Sequence, residues 1–445
     1  MTMIDLIPQF GNVIYTIGAF IVALSVIVAV HEYGHYIVGR WCGIKADVFS
    51  LGFGPVLWSR PDKHGTVWQI AALPFGGYVK FMGDADAAST GTDDKFDGMD
   101  DETRRQTMHG APLWARVATV AAGPVFNFIL SMLIFGAILF FRGVAADPLT
   151  IDELRPVPGA AQTLQPGDEI LSIAGRKTPL VEDLGDFIDD LPQEASMTYE
   201  LRRDGQIIDV TASHPYPAYV SGLTPGSAAM EAGIEEGDFI LSVDGEPVPT
   251  FQALREKIGA SDGKTVLLAV WRDGEVTDVA LKPRTMDLPR QDGSFETRYL
   301  IGITGGLLFS PKTETPGLYR VASYGVSQTI YIVRSSLSGL YHMAAGAISS
   351  CNLRGPLGIA QTSGEAASQG WTSFIWFIAV LSTAVGLLNL FPIPVLDGGH
   401  LVFFAYEAIS GKPPNERALR ILMSIGLAML LTLMVFALTN DFICP

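Results

Sequence analysis

The chain has 445 residues, 48% of them hydrophobic and 17% charged, which is too apolar for an ordinary soluble protein and too charged for one lying wholly in a membrane. A net charge of −16 argues against nucleic acid as a partner. Three cysteines, Cys42, Cys351 and Cys444, stand far apart with no Cys-x-x-Cys, so a disulfide framework is not expected and unpaired buried thiols are.

An uncharged, mostly apolar run from Val13 to Val30 opens the chain. At 1.5 Å per residue a helix there spans roughly 27 Å, close to the hydrocarbon thickness of a bilayer. The first span is expected at about 12–38, within a first segment of 1–40. No Lys or Arg precedes Arg40, so the positive leader of a signal peptide is missing and this span should stay in the mature protein. Arg40 and Lys45 follow it closely and place its C-terminal end in the cytoplasm.

The end of that run reads His31-Glu-Tyr-Gly-His35. Positions i and i+4 share a helix face, so both imidazoles can reach one zinc ion, with Glu32 beside them to take a proton from water. The motif is short, and two histidines in an apolar helix also read as hydrogen-bonded core residues.

Residues 41–112 are expected to be a cytoplasmic, membrane-associated β region followed by a linker. Short runs such as Asp47–Leu51, Thr66–Ile70 and Tyr78–Phe81, punctuated by glycines and by Pro55, Pro61 and Pro74, read as β-hairpins. The acid-rich stretch 84–102 reads as a solvated linker. A second span follows at 113–141, in a segment 113–142, and contains Gly123-Pro-Val-Phe-Asn127. That stretch either places Asn127 near the histidines or serves plain helix packing.

An internal repeat comes next. Pro158-Gly-Ala-Ala161 leads to Pro166-Gly-Asp-Glu-Ile-Leu-Ser172, and Pro225-Gly-Ser-Ala-Ala229 leads to Glu236-Gly-Asp-Phe-Ile-Leu-Ser242. Each copy ends in a strand-rich tail with an Asp-Gly turn, at Asp204-Gly205 and Asp273-Gly274. Two small β-rich domains in tandem, 143–221 and 222–310, are expected. Residues 311–370 alternate apolar and polar groups, and 315–350 predicts an amphipathic helix on the bilayer surface, not a fifth span.

The last segment, 371–445, carries spans at 371–396 and 418–438. An N-out start with four spans leaves 40–112 and 397–417 in the cytoplasm and 142–370 outside. Spans one and three then run in the same direction, so Asp397 falls at the depth of His31 and His35. Asp397 is either a third ligand or a turn residue before Gly398-Gly399, and His400 is a rival ligand. Two histidines and one carboxylate leave a fourth zinc position open, as catalysis requires. Asn389 is a candidate donor to a substrate carbonyl, or to carbonyls freed by Pro392 and Pro394.

His31-Glu-Tyr-Gly-His35 and Asn389-Leu-Phe-Pro-Ile-Pro-Val-Leu-Asp397-Gly together resemble the signatures of the site-2 protease family of intramembrane zinc metalloproteases. Ala122–Phe128, Phe53-Gly-Pro55 and Leu73–Val79 extend the likeness. The resemblance implies a Zn2+ site of His31, His35 and Asp397, with Glu32 catalytic and Asn389, Pro392 and Asn127 as substrate-binding residues. It implies circularly permuted PDZ domains in the periplasm and a multi-pass protein of the bacterial inner membrane with its active site near the cytoplasmic side. The implied substrates are single-pass membrane proteins, either an anti-sigma factor already trimmed outside or a remnant signal peptide. The expected fold is thus a multi-pass α-helical membrane protein of four spans with a β-hairpin region and two β-rich, PDZ-like domains. The competing readings are a PDZ scaffold with a vestigial metal site and a metal transporter. The intact Glu32 speaks against the first, and polar residues gathered at one depth speak against the second.

Overall fold

The computed structural model describes residues 6–84, 100–159, 163–180, 183–290 and 295–443. Most of the acid-rich linker, Ala160 and Ala161 of the first repeat motif, and Cys444 lie outside the described residues. The chain divides into two compact units, Met1–Ile138 with Tyr319–Met343 and Ser350–Pro445, and Leu139–Leu318 with Ala344–Ser349.

The first unit is built on helices α1 (Leu6–Trp41), α2 (Leu113–Arg142), α3 (Leu318–Ala344), α4 (Pro356–Ser368), α5 (Trp371–Asn389), α6 (Asp397–Ser410) and α7 (Glu416–Ile443). Among the described residues, four stretches are long and apolar enough to cross a membrane: Val13–Trp41, Leu113–Arg142, Trp371–Asn389 and Arg417–Ile443. The third stops at Asn389 and not at Leu396. Pro392 and Pro394 lack the N–H that would continue the helix, and the chain turns there before α6 begins.

Small and hydroxylated residues hold these helices together, since lipid supplies no hydrophobic drive between them. Ser131 Oγ on α2 donates to the Ala379 carbonyl of α5 at 2.8 Å, and Ser382 Oγ on α5 donates back to the Asn127 carbonyl at 2.9 Å. A Cβ at Gly34 of α1 would stand 2.6 Å from the Ala122 carbonyl of α2, so only glycine permits that approach. Helix α3 meets α2 in the same way, at Gly325 against the Met132 carbonyl. The Asp441 carboxylate on α7 accepts from the Gly355, Leu357 and Gly358 amides and so caps the otherwise uncapped N-terminus of α4.

The β region is one long hairpin, β1 (Ala46–Pro61) and β2 (Val67–Phe81), doubled back on itself. Phe49 lies opposite both Trp68 and Val79, and Arg60 also lies opposite Trp68. Two strands therefore yield a four-segment sheet, with Gly77–Phe81 on one side and Val56–Pro61 on the other. Asp62 ties it to α1. Burial pushes the Asp62 carboxyl up, but the Tyr36 phenol, the His64 and Thr66 amides and the Trp68 indole outweigh it and hold it at about 2.

In the second unit, two four-stranded antiparallel sheets repeat one plan. Glu169–Ile173, Arg176–Lys177, Ser196–Arg203 and Gln206–Ser213 form the first, and Phe239–Val243, Glu246–Pro247, Val266–Arg272 and Glu275–Leu281 the second. Asp204-Gly205 and Asp273-Gly274 all have positive φ, as a type I′ turn demands. The repeated Gly-Asp is structural in both. Asp168 and Asp238 are buried and accept paired hydrogen bonds from Arg203 and Arg272. Each sheet has its own core, around Tyr199 and Leu201 in one and Leu254 and Leu268 in the other. The first core is completed only after the second. Phe309–Pro311 pair with Ile151–Leu154, and Leu308 and Phe309 pack among the first core's residues. Thr313–Glu314 then pair with Val144–Ala145, bringing the two ends of the unit together.

One expectation is overturned. Cys351 is disulfide-bonded, whereas Cys42 is a free thiol. Wide spacing in sequence does not keep cysteines apart once helices fold back on one another.

Candidate metal centre

His31 and His35 stand one above the other on α1, with their Nε2 atoms 3.1 Å apart. The third group comes from the far end of the chain. After α5 ends, Phe391–Leu396 fold into tight turns, and α6 starts with Asp397 in its first turn. Gly398 and Gly399 allow this. A Cβ on Gly398 would stand 2.3 Å from the Phe391 carbonyl, and one on Gly399 the same distance from the Ile393 carbonyl. The run from Asn389 to Gly399 is therefore a scaffold that delivers Asp397. Its Oδ2 lies 3.2 Å from His31 Nε2 and 3.5 Å from His35 Nε2.

These distances test whether a metal fits. Zn–N and Zn–O bonds of roughly 2.0–2.1 Å at tetrahedral angles separate ligand atoms by about 3.3–3.4 Å. The three separations of 3.1, 3.2 and 3.5 Å match that triangle. All three groups are largely buried, and Asp397 Oδ2 has no hydrogen-bond donor. His35 is in the right tautomer. Its Nδ1 lies 2.9 Å from the Thr119 carbonyl, which can only accept, so the proton is on Nδ1 and the Nε2 lone pair is free.

Helix α2 leaves room for the rings. A Cβ on Gly123 would stand 2.3 Å from His35 Nε2 and 2.8 Å from His31 Cε1. Asn127, one turn further, is fully buried with Nδ2 3.2 Å from His31 Nδ1, while its Oδ1 has no partner. The two alternatives for Gly123–Asn127 are thus both realised: the helices approach closely and Asn127 reaches a histidine.

Glu32 lines a cavity of about 370 Å³ together with His31, His35 and Asp397 and, from the sheet, Gly77, Tyr78 and Val79. Gly77 lets the strand pass beside α1, since its Cβ would stand 3.3 Å from Glu32 Cγ. His400 also lines this cavity, but it is not in the ligand triangle. Sequence reasoning missed Arg116 and Glu407 on the cavity wall. They form a two-armed ion pair joining α2 to α6, with one arm at 3.0 Å. Their separation in sequence hid the pairing.

Asn389 and Pro392 are not brought to the cavity wall. Asn389 Nδ2 donates to the Val385 carbonyl one turn back on its own helix, at 3.1 Å.

A model of the family described as Peptidase family M50 matches residues 19–433. A protein of Agrobacterium fabrum that carries the name of a zinc metalloprotease is 36% identical, over 95% of this chain and 94% of its own length. Another so named, from Rhizobium meliloti, is 37% identical over 97% of each chain. The regulator of sigma-E protease RseP of Salmonella typhimurium is 31% identical, over 97% of this chain and 99% of its own.

Proposed function

The chain belongs to Peptidase family M50 and is an intramembrane zinc metalloprotease; from that premise we propose that it cleaves single-pass membrane proteins in the bacterial inner membrane. We take its substrates to be an anti-sigma factor after a first periplasmic cut, and remnant signal peptides. The observation that carries the reading is the triangle of His31 Nε2, His35 Nε2 and Asp397 Oδ2, with Glu32 on the wall of the same cavity. The likeness to the Salmonella regulator of sigma-E protease supports the substrate class.

His31, His35 and Asp397 would hold the zinc, which polarises a peptide carbonyl and lowers the pKa of water. Glu32 accepts the proton of the attacking water and passes it to the departing amine. A transmembrane helix hides its carbonyls in its own hydrogen bonds, so the substrate must unwind. Gly77–Phe81 borders the cavity and, among the described pairings, joins the sheet on one side only. It can take up the unwound strand by β-augmentation. The exposed Phe53, Val56, Leu57 and Trp58 on the far limb suit a sheet lying in the membrane.

In the orientation we propose, the metal centre lies towards the cytoplasm and the two β-rich domains are periplasmic and PDZ-like. Cys351 in a disulfide and Cys42 as a free thiol fit opposite sides of the membrane. We further propose that the domain pair excludes substrates still bearing a bulky periplasmic part.

The test is cleavage of a trimmed, tagged single-pass substrate by purified protein, with zinc counted in wild type and Glu32→Gln. The variant is expected to keep about one zinc per chain and to lose cleavage by several orders of magnitude. If wild type and variant both hold zinc and neither cuts any trimmed candidate, a scaffold role replaces this reading.

A further inference from the structure

We infer that Asn127 is a positioning residue for the metal centre: its amide oxygen accepts a hydrogen bond from His31 Nδ1–H and so fixes the tautomer that leaves His31 Nε2 free for zinc. The inference rests on the metal centre described above and goes beyond it by giving Asn127 a role other than substrate contact.

Three atoms are in conflict. Asn127 Nδ2 stands 3.2 Å from His31 Nδ1, and Nδ2 can only donate. For that bond, Nδ1 must carry the lone pair, which in a neutral ring puts the proton on Nε2. Yet His31 Nε2 is the atom 3.1 Å from His35 Nε2 and 3.2 Å from Asp397 Oδ2, in the ligand triangle. A protonated Nε2 cannot ligate. Meanwhile Asn127 Oδ1 is buried without a partner, a state that costs about 1–3 kcal/mol for a buried polar atom.

Exchanging the amide's O and N resolves the conflict at His31 and gives the oxygen a donor, with the NH2 taking the oxygen's former place. The two atoms are nearly isosteric, and their assignment follows from the hydrogen-bond network. Oδ1 then accepts from Nδ1–H, the proton leaves Nε2, and the ring presents its lone pair to the metal. His35 already has this arrangement, with Nδ1–H on the Thr119 carbonyl. Each metal histidine would then have one acceptor from α2, a backbone carbonyl for one and the Asn127 side chain for the other.

Two observations favour positioning over substrate contact. Asn127 has 0% exposure and is not among the residues lining the cavity. Its backbone is also anchored, with its carbonyl accepting from Ser382 at 2.9 Å. A residue so fixed can set a ring's orientation, but it cannot swing out to a peptide.

The experiment measures zinc affinity by chelator competition in detergent-purified full-length wild type, Asn127→Leu and Asn127→Asp, and visible absorption after cobalt substitution. Asn127→Leu keeps the shape and removes the acceptor; Asn127→Asp keeps the acceptor. Loss of such a partner typically weakens metal binding by about 10–100-fold. The expected result is a loss in that range for Asn127→Leu, with a changed cobalt spectrum, and recovery to within about threefold of wild type in Asn127→Asp. Helix content and the melting of the metal-free proteins check that each variant folds. Asn127→Leu binding zinc as tightly as wild type overturns the inference and leaves the metal centre standing. So does an Asn127→Asp variant as weak as Asn127→Leu. Wild type without stoichiometric zinc removes the centre itself, and the inference with it.

Discussion

Gly123 is the residue whose replacement separates metal binding most cleanly from folding. In a membrane helix, as in a soluble one, glycine to alanine gains helix propensity, by about 1 kcal/mol. Here the added Cβ would stand 2.3 Å from His35 Nε2, well inside contact distance, and the ring cannot swing away without losing its 2.9 Å bond to the Thr119 carbonyl. Gly123→Ala should therefore weaken zinc binding roughly tenfold or more while leaving the melting of the metal-free protein unchanged or higher. Chelator competition and circular dichroism measure the two quantities, and unchanged zinc affinity would show that the ring has room to move. The same site shows what a sequence reveals residue by residue. His31, His35 and Asp397 were legible because their chemistry is written in their types and spacing. Asn389 was not. An asparagine before a proline turn reads equally as a donor to substrate or to its own helix, and only the Val385 contact decides what it does at rest. Gly123, Gly398 and Gly399 were silent for a deeper reason, since their role is the absence of an atom at a point where distant segments meet.

Among the elements, the four spans were legible from run length and apolarity, yet the third ends where two prolines take away its donors. The hairpin character of 44–82 was also legible from its turn residues. Its doubling was not, because that register depends on Phe49 facing Trp68 and Val79 at once, a pairing no local pattern encodes. The doubling changes what a proline can test. Val67–Ile70 lies between two limbs of β1, so a proline there breaks the sheet itself. Gly77–Phe81 has its partner on one side among the described pairings and the cavity nearby, so a proline there probes a free edge. Val79→Pro, at the position whose N–H alternates away from β1, is expected to lower turnover of a single-pass substrate by roughly tenfold or more and to leave the zinc content unchanged. Turnover at the wild-type rate would remove strand pairing from the mechanism, and lost zinc would show instead that the strand holds the centre in place.

At the scale of the whole molecule, the two repeats were legible, but their nesting was not. Pro-Gly and Gly-Asp motifs mark where each copy begins, whereas Phe309–Pro311 return to the first core with no motif of their own. This decides how the filter role can be tested. Deleting 145–310 would leave Pro311 and its neighbours stripped of their partners. The pairing of Ala145 with Thr313 offers a better cut, because opposite residues of an antiparallel pair lie only about 4.5–5.5 Å apart and a short glycine turn can close them. Replacing residues 146–312 by such a turn removes both β-rich cores complete and leaves every metal and cavity residue in place. If the pair excludes bulky substrates, the shortened protein should cut an untrimmed single-pass substrate at a rate approaching that for the trimmed one. If the pair instead grips the new end of a trimmed substrate, the trimmed substrate should be cut more slowly and the untrimmed one not at all. The two roles therefore predict opposite changes in the same pair of rates, measured on one variant whose metal centre is untouched.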